Sequence, residues 1–429
     1  MENPAPRPPN PWRWIPTLYF AEGIPYVIAM TVSVVLYKNL QVSNTAIALY
    51  TSWLYLPWVI KPLWSPVVEL LATKRLWTFG LQLVIGAALA AVALVLPGSA
   101  FFRGTLAVFW LLAFSSATHD IAADGFYLLA LPPHQQAAFV GVRSTFYRLA
   151  TIAGQGGLVY LAGSLQKITG DFTRAWAWVF GLAAAVFFLV GLYHAWALPR
   201  PAGDGAVRHE PKPLAAYFAV FAAFFRKKQI GIILAFLLLY RFAEAQLLKL
   251  VTPFLLDART AGGLGLTTQD VGVVYGTIGV IALTLGGLAG GYAISRCGLK
   301  RLLWPMILAM YAPNVVFIVL ALTQPSNLAL IGGALAIEQF GYGFGFTAYL
   351  LYMMLAAEGE HRTAHYAICT GFMALGMMLP GMAAGWIQEK LGYVNFFIWI
   401  CVAAIPSFIA TAFIDVDPAY GKKSAARNA

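Results

Sequence analysis

Twelve apolar runs, each long enough to cross a lipid bilayer as a helix, constrain this chain more than any other feature. A crossing needs about 20 mostly apolar residues. Such runs fall at 14–37, 45–70, 77–97, 105–131, 138–164, 175–198, 229–256, 269–294, 302–322, 328–356, 363–388 and 393–415. No soluble core hides that much apolar surface. Of the 429 residues, 60% are hydrophobic and 10% charged, whereas soluble domains carry roughly 25% charged residues. The runs are of helical length and do not alternate, which argues against an outer-membrane barrel. The expected fold is an all-α integral membrane protein of 12 helices.

One connection is long. Residues 199–228, "PRPAGDGAVRHEPKPLAAYFAVFAAFFRKKQ", are polar, then amphipathic, then basic, and they fall midway. They read as a cytoplasmic linker, lying partly on the membrane surface, between two six-helix bundles at 1–198 and 229–429. The halves echo each other weakly: "PVVELLATKRLW" after helix 2 against "GGYAISRCGLKRLLW" after helix 8, and "AGQGGLVYLAG" in helix 5 against "PGMAAGWIQEKLG" in helix 11. With the N-terminus inside, the cytoplasmic ends hold 17 Lys and Arg, among them Arg7, Lys74, Arg75, Arg208, Lys212, Lys423 and Arg427; the outer loops hold 6. This bias puts both termini in the cytoplasm. It also accounts for the net charge of +11 without a nucleic-acid partner. Cys297, Cys369 and Cys401 are scattered in no disulfide-like or CxxC pattern. The Pro-rich start "MENPAPRPPNPWRW" lacks the regions of a signal peptide, so the first helix is expected to remain in the mature chain.

Two parallel halves with a central cytoplasmic loop are the layout of a major facilitator transporter. The loop "GGYAISRCGLKR" resembles the signature of that superfamily, with Ser295 where an acid is usual; in the first-half copy Glu69 is the acid. "AEGIPY" (21–26), "IKPLWSPVVE" (60–69), "SSATHDIAADGFY" (115–127), "VGVRSTFYRLA" (140–150) and, more loosely, "IEQFGYGFG" (337–345) resemble the AmpG-type permease family. That family groups muropeptide permeases with acetyl-CoA transporters, and some siderophore importers look like its relatives. The resemblance implies import driven by a proton gradient. Muropeptide permeases have a Gln before the first Asp and a Trp after the second; here stand His119 and Gly125-Phe126. Some also carry extra helices beyond the 12 expected here.

A charge at a helix centre costs about 2.5–3.5 kcal/mol on insertion scales, so it is kept only where it meets a cavity or a partner. The interior candidates are five acids, Glu22, Asp120, Asp124, Glu244 and Glu338, and five cations, Lys61, Arg143, Arg148, Arg241 and Lys249. Asp120 and Asp124 are i,i+4 and share a helix face, which Tyr127 continues; His119 is rotated by about 100° and borders it. Two close carboxylates in low dielectric favour sharing a proton, so Asp120, Asp124, His119, Glu338 and Glu22 are the expected proton-coupling residues. Arg143 and Tyr147 share a face. Pairing of Arg143 with Asp124 and contact with an anionic substrate remain alternatives, and the deeper Arg148 suits a substrate. Arg241 and Glu244, three apart, are expected to meet, with Lys249 on another face. Together with Lys61 and Tyr127 these form the expected substrate set. Gly341, Gly343 and Gly345 allow close approach beside Glu338. Pro25 predicts a kink beside Glu22.

The expected function is a proton-coupled inner-membrane importer of a small anionic solute, such as an amino-sugar peptide, working by alternating access as a monomer among lipids, without cofactor or metal. Siderophores and acyl-CoA fit the same cations. A facilitator or lipid flippase on the same fold is a further alternative. A membrane-bound hydrolase or acyltransferase built on "HDIAAD" is disfavoured, because no HExxH, second His/Asp cluster or nucleophile elbow accompanies it.

Overall fold

A computed structural model describes residues 10–201, 204, 214–359 and 361–422. Arg7, Arg208, Lys212, Lys423 and Arg427, counted above for orientation, lie outside the described residues, as does the side chain of Glu69. All regular structure among the described residues is helical. Twelve helical passages, here called spans, follow one another. Span 1 is Pro11–Asn39, span 2 joins Asn44–Trp53 to Leu56–Leu71, span 3 is Lys74–Val95 and span 4 is Phe101–Ala130. Span 5 runs from Pro133–Thr151 into Val159–Thr169, span 6 is Phe172–Ala197, and Leu214–Phe225 is a helix of the central connection. Spans 7 to 10 are Ile230–Leu256, Thr268–Cys297, Leu299–Thr323 and Leu328–Ala356. Spans 11 and 12 occupy Arg362–Ala403 and Ile405–Phe413 and divide at Gly392, whose φ of 72° is left-handed backbone that favours glycine. Eight stretches, one covering the last two spans, are long and apolar enough to cross a membrane by length and composition. Spans 2, 5 and 10, which carry Lys61, Arg143 with Arg148, and Glu338, fall outside that set.

The chain forms two compact units. The first comprises Met1–Ala29, Leu63–Gly154 and Leu165–Pro211; the second comprises Met30–Pro62, Gln155–Ser164 and Lys212–Ala429. In the first, Gly23 of span 1 lets span 5 come close: a Cβ there would stand 2.8 Å from the Ala150 Cβ and 3.2 Å from the Tyr147 carbonyl. In the second, Gly341 and Gly343 of span 10 do the same toward spans 9 and 8, where a Cβ would stand 2.1 Å from the carbonyls of Ala309 and Leu283. The close approach expected of these glycines is therefore realised.

Two irregularities place the functional side chains. Pro25 has no N–H to give, and span 1 widens just after it into a π-turn at Ile28–Val32. Span 7, expected to be continuous, breaks at Tyr240–Arg241: Ile230–Leu239 ends, and Phe242–Leu256 begins with Arg241 outside helical geometry. Carbonyls freed inside a bilayer need new donors. The Leu239 carbonyl accepts from the Ser407 hydroxyl at 2.8 Å, Tyr240 from the Tyr311 hydroxyl at 2.5 Å, and Leu237 from the Tyr349 hydroxyl at 2.6 Å. Tyr311→Phe removes one donor and leaves a buried carbonyl unpaired, so it should destabilise the protein by about 1–3 kcal/mol. Thermal unfolding in detergent would read this as a lowered Tm, and an unchanged Tm would mean that the break needs no such repair.

Candidate functional site

In the first unit the two carboxylates of span 4 go to different partners. Asp124 takes the guanidinium of Arg143 from span 5, an ion pair left partly open, with side-chain exposures of 43% and 26%. The Tyr19 hydroxyl donates to the same Asp124 oxygen at 3.3 Å. The Arg143 guanidinium lies 4.3 Å from the Tyr19 ring centre and 4.9 Å from that of Tyr127. It is held by two π-faces as well as by charge. Tyr127 is fixed in turn, since its hydroxyl donates to the Gln136 carbonyl. Of the two alternatives for Arg143, the structure contains the pair with Asp124.

Asp120, one turn away, stands beside the acid Glu22 of span 1. Glu22 is buried, and its Oε2 has no partner among the described residues. Tyr147 packs its ring over Gly23, beside Glu22. Arg148 is half-buried and makes no hydrogen bond or ion pair with a described residue.

His119 is turned away from this face. It is wholly buried, and its Nε2 meets the Gln82 Nε2 of span 3 at 3.0 Å. The Gln82 Oε1 meets the His194 Nδ1 of span 6 at 2.8 Å, and the His194 Nε2 meets the Thr17 hydroxyl of span 1 at 2.8 Å. Four helices are thus tied by one polar chain. The His119 Nδ1 is its unpartnered end among the described residues.

In the second unit the expected Arg241–Glu244 contact is absent as a hydrogen bond: both Glu244 oxygens are buried without a partner among the described residues. The i,i+3 spacing brings side chains together only on a continuous helix, and residue 241 stands at the break. Arg241 instead donates to the Tyr342 hydroxyl of span 10 and stacks on Phe346, 4.6 Å from its ring centre. Glu338 is fully buried; its Oε2 accepts from the Gln339 amide at 2.9 Å and its Oε1 has no partner among the described residues. Lys249 donates to the Thr51 hydroxyl at 3.0 Å. Lys61 is half-buried in Leu56–Leu71. At the Asn44 end of span 2 a polar seam closes: Lys38 meets Asp257 at 2.6 Å, the Asn44 amide reaches Gln388 at 2.7 Å and Tyr393 at 3.1 Å, and the Thr45 hydroxyl donates to Glu389 at 2.6 Å.

The sequence profile of the Major Facilitator Superfamily matches residues 17–363. The chain belongs to the major facilitator superfamily. It is a multi-pass membrane transporter, not an enzyme. Among curated relatives, an anhydromuropeptide permease of Escherichia coli K12 is 28% identical over 359 residues, 82% of this chain and 69% of its own. A putative transporter AmpG 4 of Rickettsia conorii is 24% identical over 413 residues, covering 93% and 95%. Among solved structures, the nucleoside transporter NupG superposes with a TM-score of 0.69 at 14% identity, covering 94% of this chain and 98% of that one. A bacterial homologue of the lysosomal transporter Spinster gives 0.66 at 16% identity, covering 93% and 94%. These last two bear on the fold alone.

Within this facilitator, sequence reasoning missed Tyr19, Gln82, His194, Thr51, Tyr342 and Phe346. The first four are isolated polar or aromatic side chains in apolar runs, and only the packed fold shows what each touches. If the Arg143–Asp124 pair braces spans 4 and 5, Arg143→Met and Asp124→Asn should each lower the Tm. The double variant should lose less than their sum, by about 0.5–1 kcal/mol for a pair this exposed. Fully additive losses would show no coupling.

Proposed function

We propose that this facilitator imports an organic anion of the amino-sugar peptide class together with protons, across the inner membrane of a bacterium, with both termini in the cytoplasm and the monomer as the working unit. The observation that carries the reading is the placing of Glu22, buried with its Oε2 unpartnered among the described residues, beside a second acid, Asp120, within one unit of the transporter. Two acids side by side in the interior of a protein that moves solutes suit the loading and release of a proton. Arg143 keeps Asp124 paired, which leaves Glu22 and Asp120 as the exchanging pair. Glu338 and Glu244, buried with oxygens unpartnered among the described residues, form a second acidic locus. The half-buried Arg148, and Arg241 stacked against Tyr342 and Phe346, are cations suited to a carboxylate-bearing solute. The substrate class is supported by the anhydromuropeptide permease among the relatives, and the orientation by the excess of Lys and Arg on one side.

Proteoliposomes test this directly. An imposed acid-outside gradient should drive concentrative uptake of an anhydromuropeptide by the wild type. Glu22→Gln and Asp120→Asn should each cut proton-driven accumulation at least about tenfold while sparing solute exchange at equal pH. Either variant accumulating solute as well as wild type would remove the carboxyl pair from coupling.

A further inference from the structure

Lys249 of span 7 is a buried cation, 4% exposed, with no carboxylate at salt-bridge distance among the described residues. Its ammonium donates to the Thr51 hydroxyl at 3.0 Å and stands 5.2 Å from the Tyr55 ring centre. Thr51 spends its own proton on the Ile47 carbonyl at 2.7 Å, so toward Lys249 it only accepts. An ammonium has three N–H groups. One is placed and two are not, in a setting where leaving donors unspent is costly. The stem is guided to this point by span 11: a Cβ on Gly381 would stand 3.4 Å from the Lys249 Cγ and 2.8 Å from the Ser52 hydroxyl.

We propose that Lys249 is the receptor for a carboxylate of the transported solute, and that Thr51 is the neutral placeholder that occupies it when the seam between residues 44–55 and span 7 is shut. The proposal deepens the importer reading and rests on it only in taking the solute to be an organic anion. Once Thr51 has left, the three N–H groups of the ammonium are enough to serve both oxygens of one carboxylate. A phosphate dianion would bring more acceptors and more charge than one ammonium and an aromatic face satisfy. The contacts that close this seam are individually breakable: the Lys38–Asp257 ion pair and the Asn44 and Thr45 hydrogen bonds lie at its end. When they part, Thr51 leaves with its stretch, and Lys249 faces the passage with its charge uncompensated and its ring partner displaced. The incoming carboxylate then meets a site whose cost of desolvation is already met.

The test uses the purified full chain and three probes: an amino-sugar peptide with free carboxylates, its fully amidated counterpart, and a hexose phosphate. Ligand-dependent thermal shifts give apparent affinities. Wild type should prefer the carboxylate form over the amide by about tenfold, the size of one good charge contact. Lys249→Met, which keeps a stem of similar shape, should reduce that preference to within about twofold. Thr51→Val, which removes the placeholder but not the receptor, should keep or raise it. If Lys249→Met does not fold, Lys249→Gln carries the same comparison. The proposal is overturned by a wild type with no carboxylate preference, by a stronger response to the phosphate, or by an unchanged preference in the Lys249 variant. Failure of proton-driven uptake in proteoliposomes would instead strike at the importer reading and leave this preference standing.

Discussion

A backbone carbonyl released inside a hydrocarbon layer has no water to turn to, and the second unit is organised around meeting that demand at one point. Span 7 breaks at Tyr240–Arg241, and hydroxyls of Ser407, Tyr311 and Tyr349, from three other helices, take up the exposed carbonyls. The repair is also a packing node: Tyr240 lies against Phe236 and Tyr349, with ring centres 4.7 and 5.4 Å apart. What the break provides is direction. Residue 241 leaves the helical path, so its guanidinium swings to Tyr342 and Phe346 rather than to Glu244. Glu244 is then stranded in the first turn of the next helix with both oxygens unpartnered among the described residues. A continuous helix would have joined the two charges and silenced both.

The first unit solves the same problem of interior charge by sorting rather than by breaking. Asp120 and Asp124 share a face, yet one meets a cation and the other meets an acid. Arg143, flanked by Tyr19 and Tyr127, is too well fixed to serve both. Asp124 is therefore paired with a cation, whereas Asp120 stands beside the acid Glu22. An ion pair joins opposite charges, whereas two neighbouring carboxylates repel one another when both are charged. The two carboxylates of span 4 thus have neighbours of different kinds, although composition treats all three acids alike.

Much of this could be read from the chain. The length of the apolar runs fixed the number of spans, and the i,i+4 spacing of Asp120 and Asp124 set them on one face. The Gly341–Gly345 pattern announced close approach, and Pro25 marked an irregularity beside Glu22. What stayed hidden was pairing across helices. Nothing in the sequence says that Asp120 lies beside Glu22 of span 1 while Asp124 takes Arg143 of span 5 and Tyr19 of span 1, because a rotation of a few tens of degrees decides it. The break in span 7 carries neither Gly nor Pro, and the hydroxyls that take up its carbonyls lie up to 168 residues away. A pattern reading assumes a continuous helix and so joined Arg241 to Glu244. Gln82 and His194 each looked like a lone polar residue in a greasy run, where one of them means little and two meeting at 2.8 Å mean a network.

That network also bears on the position where this chain departs from the permease pattern. Where the pattern has Gln, His119 meets one end of the Gln82 amide while His194 takes the other. If the Gln82 nitrogen donates to His119, its oxygen accepts from the His194 Nδ1–H, and the His194 Nε2 is left to accept from Thr17. Turning the amide over reverses every bond: His119 donates to Gln82, Gln82 to His194, and His194 to Thr17, whose own proton goes to the Trp14 carbonyl at 3.2 Å. Both directions keep each imidazole neutral and every inner atom satisfied, and the reversed one also gives the Thr17 hydroxyl a single donor task. A Gln at 119 could join the same chain, since it too offers a donor and an acceptor at similar reach. A His at 119 thus fits the packing of spans 1, 3, 4 and 6 as one member of this chain of polar contacts. His119 is thereby turned away from the carboxyl face one residue on, where Asp120 stands beside Glu22.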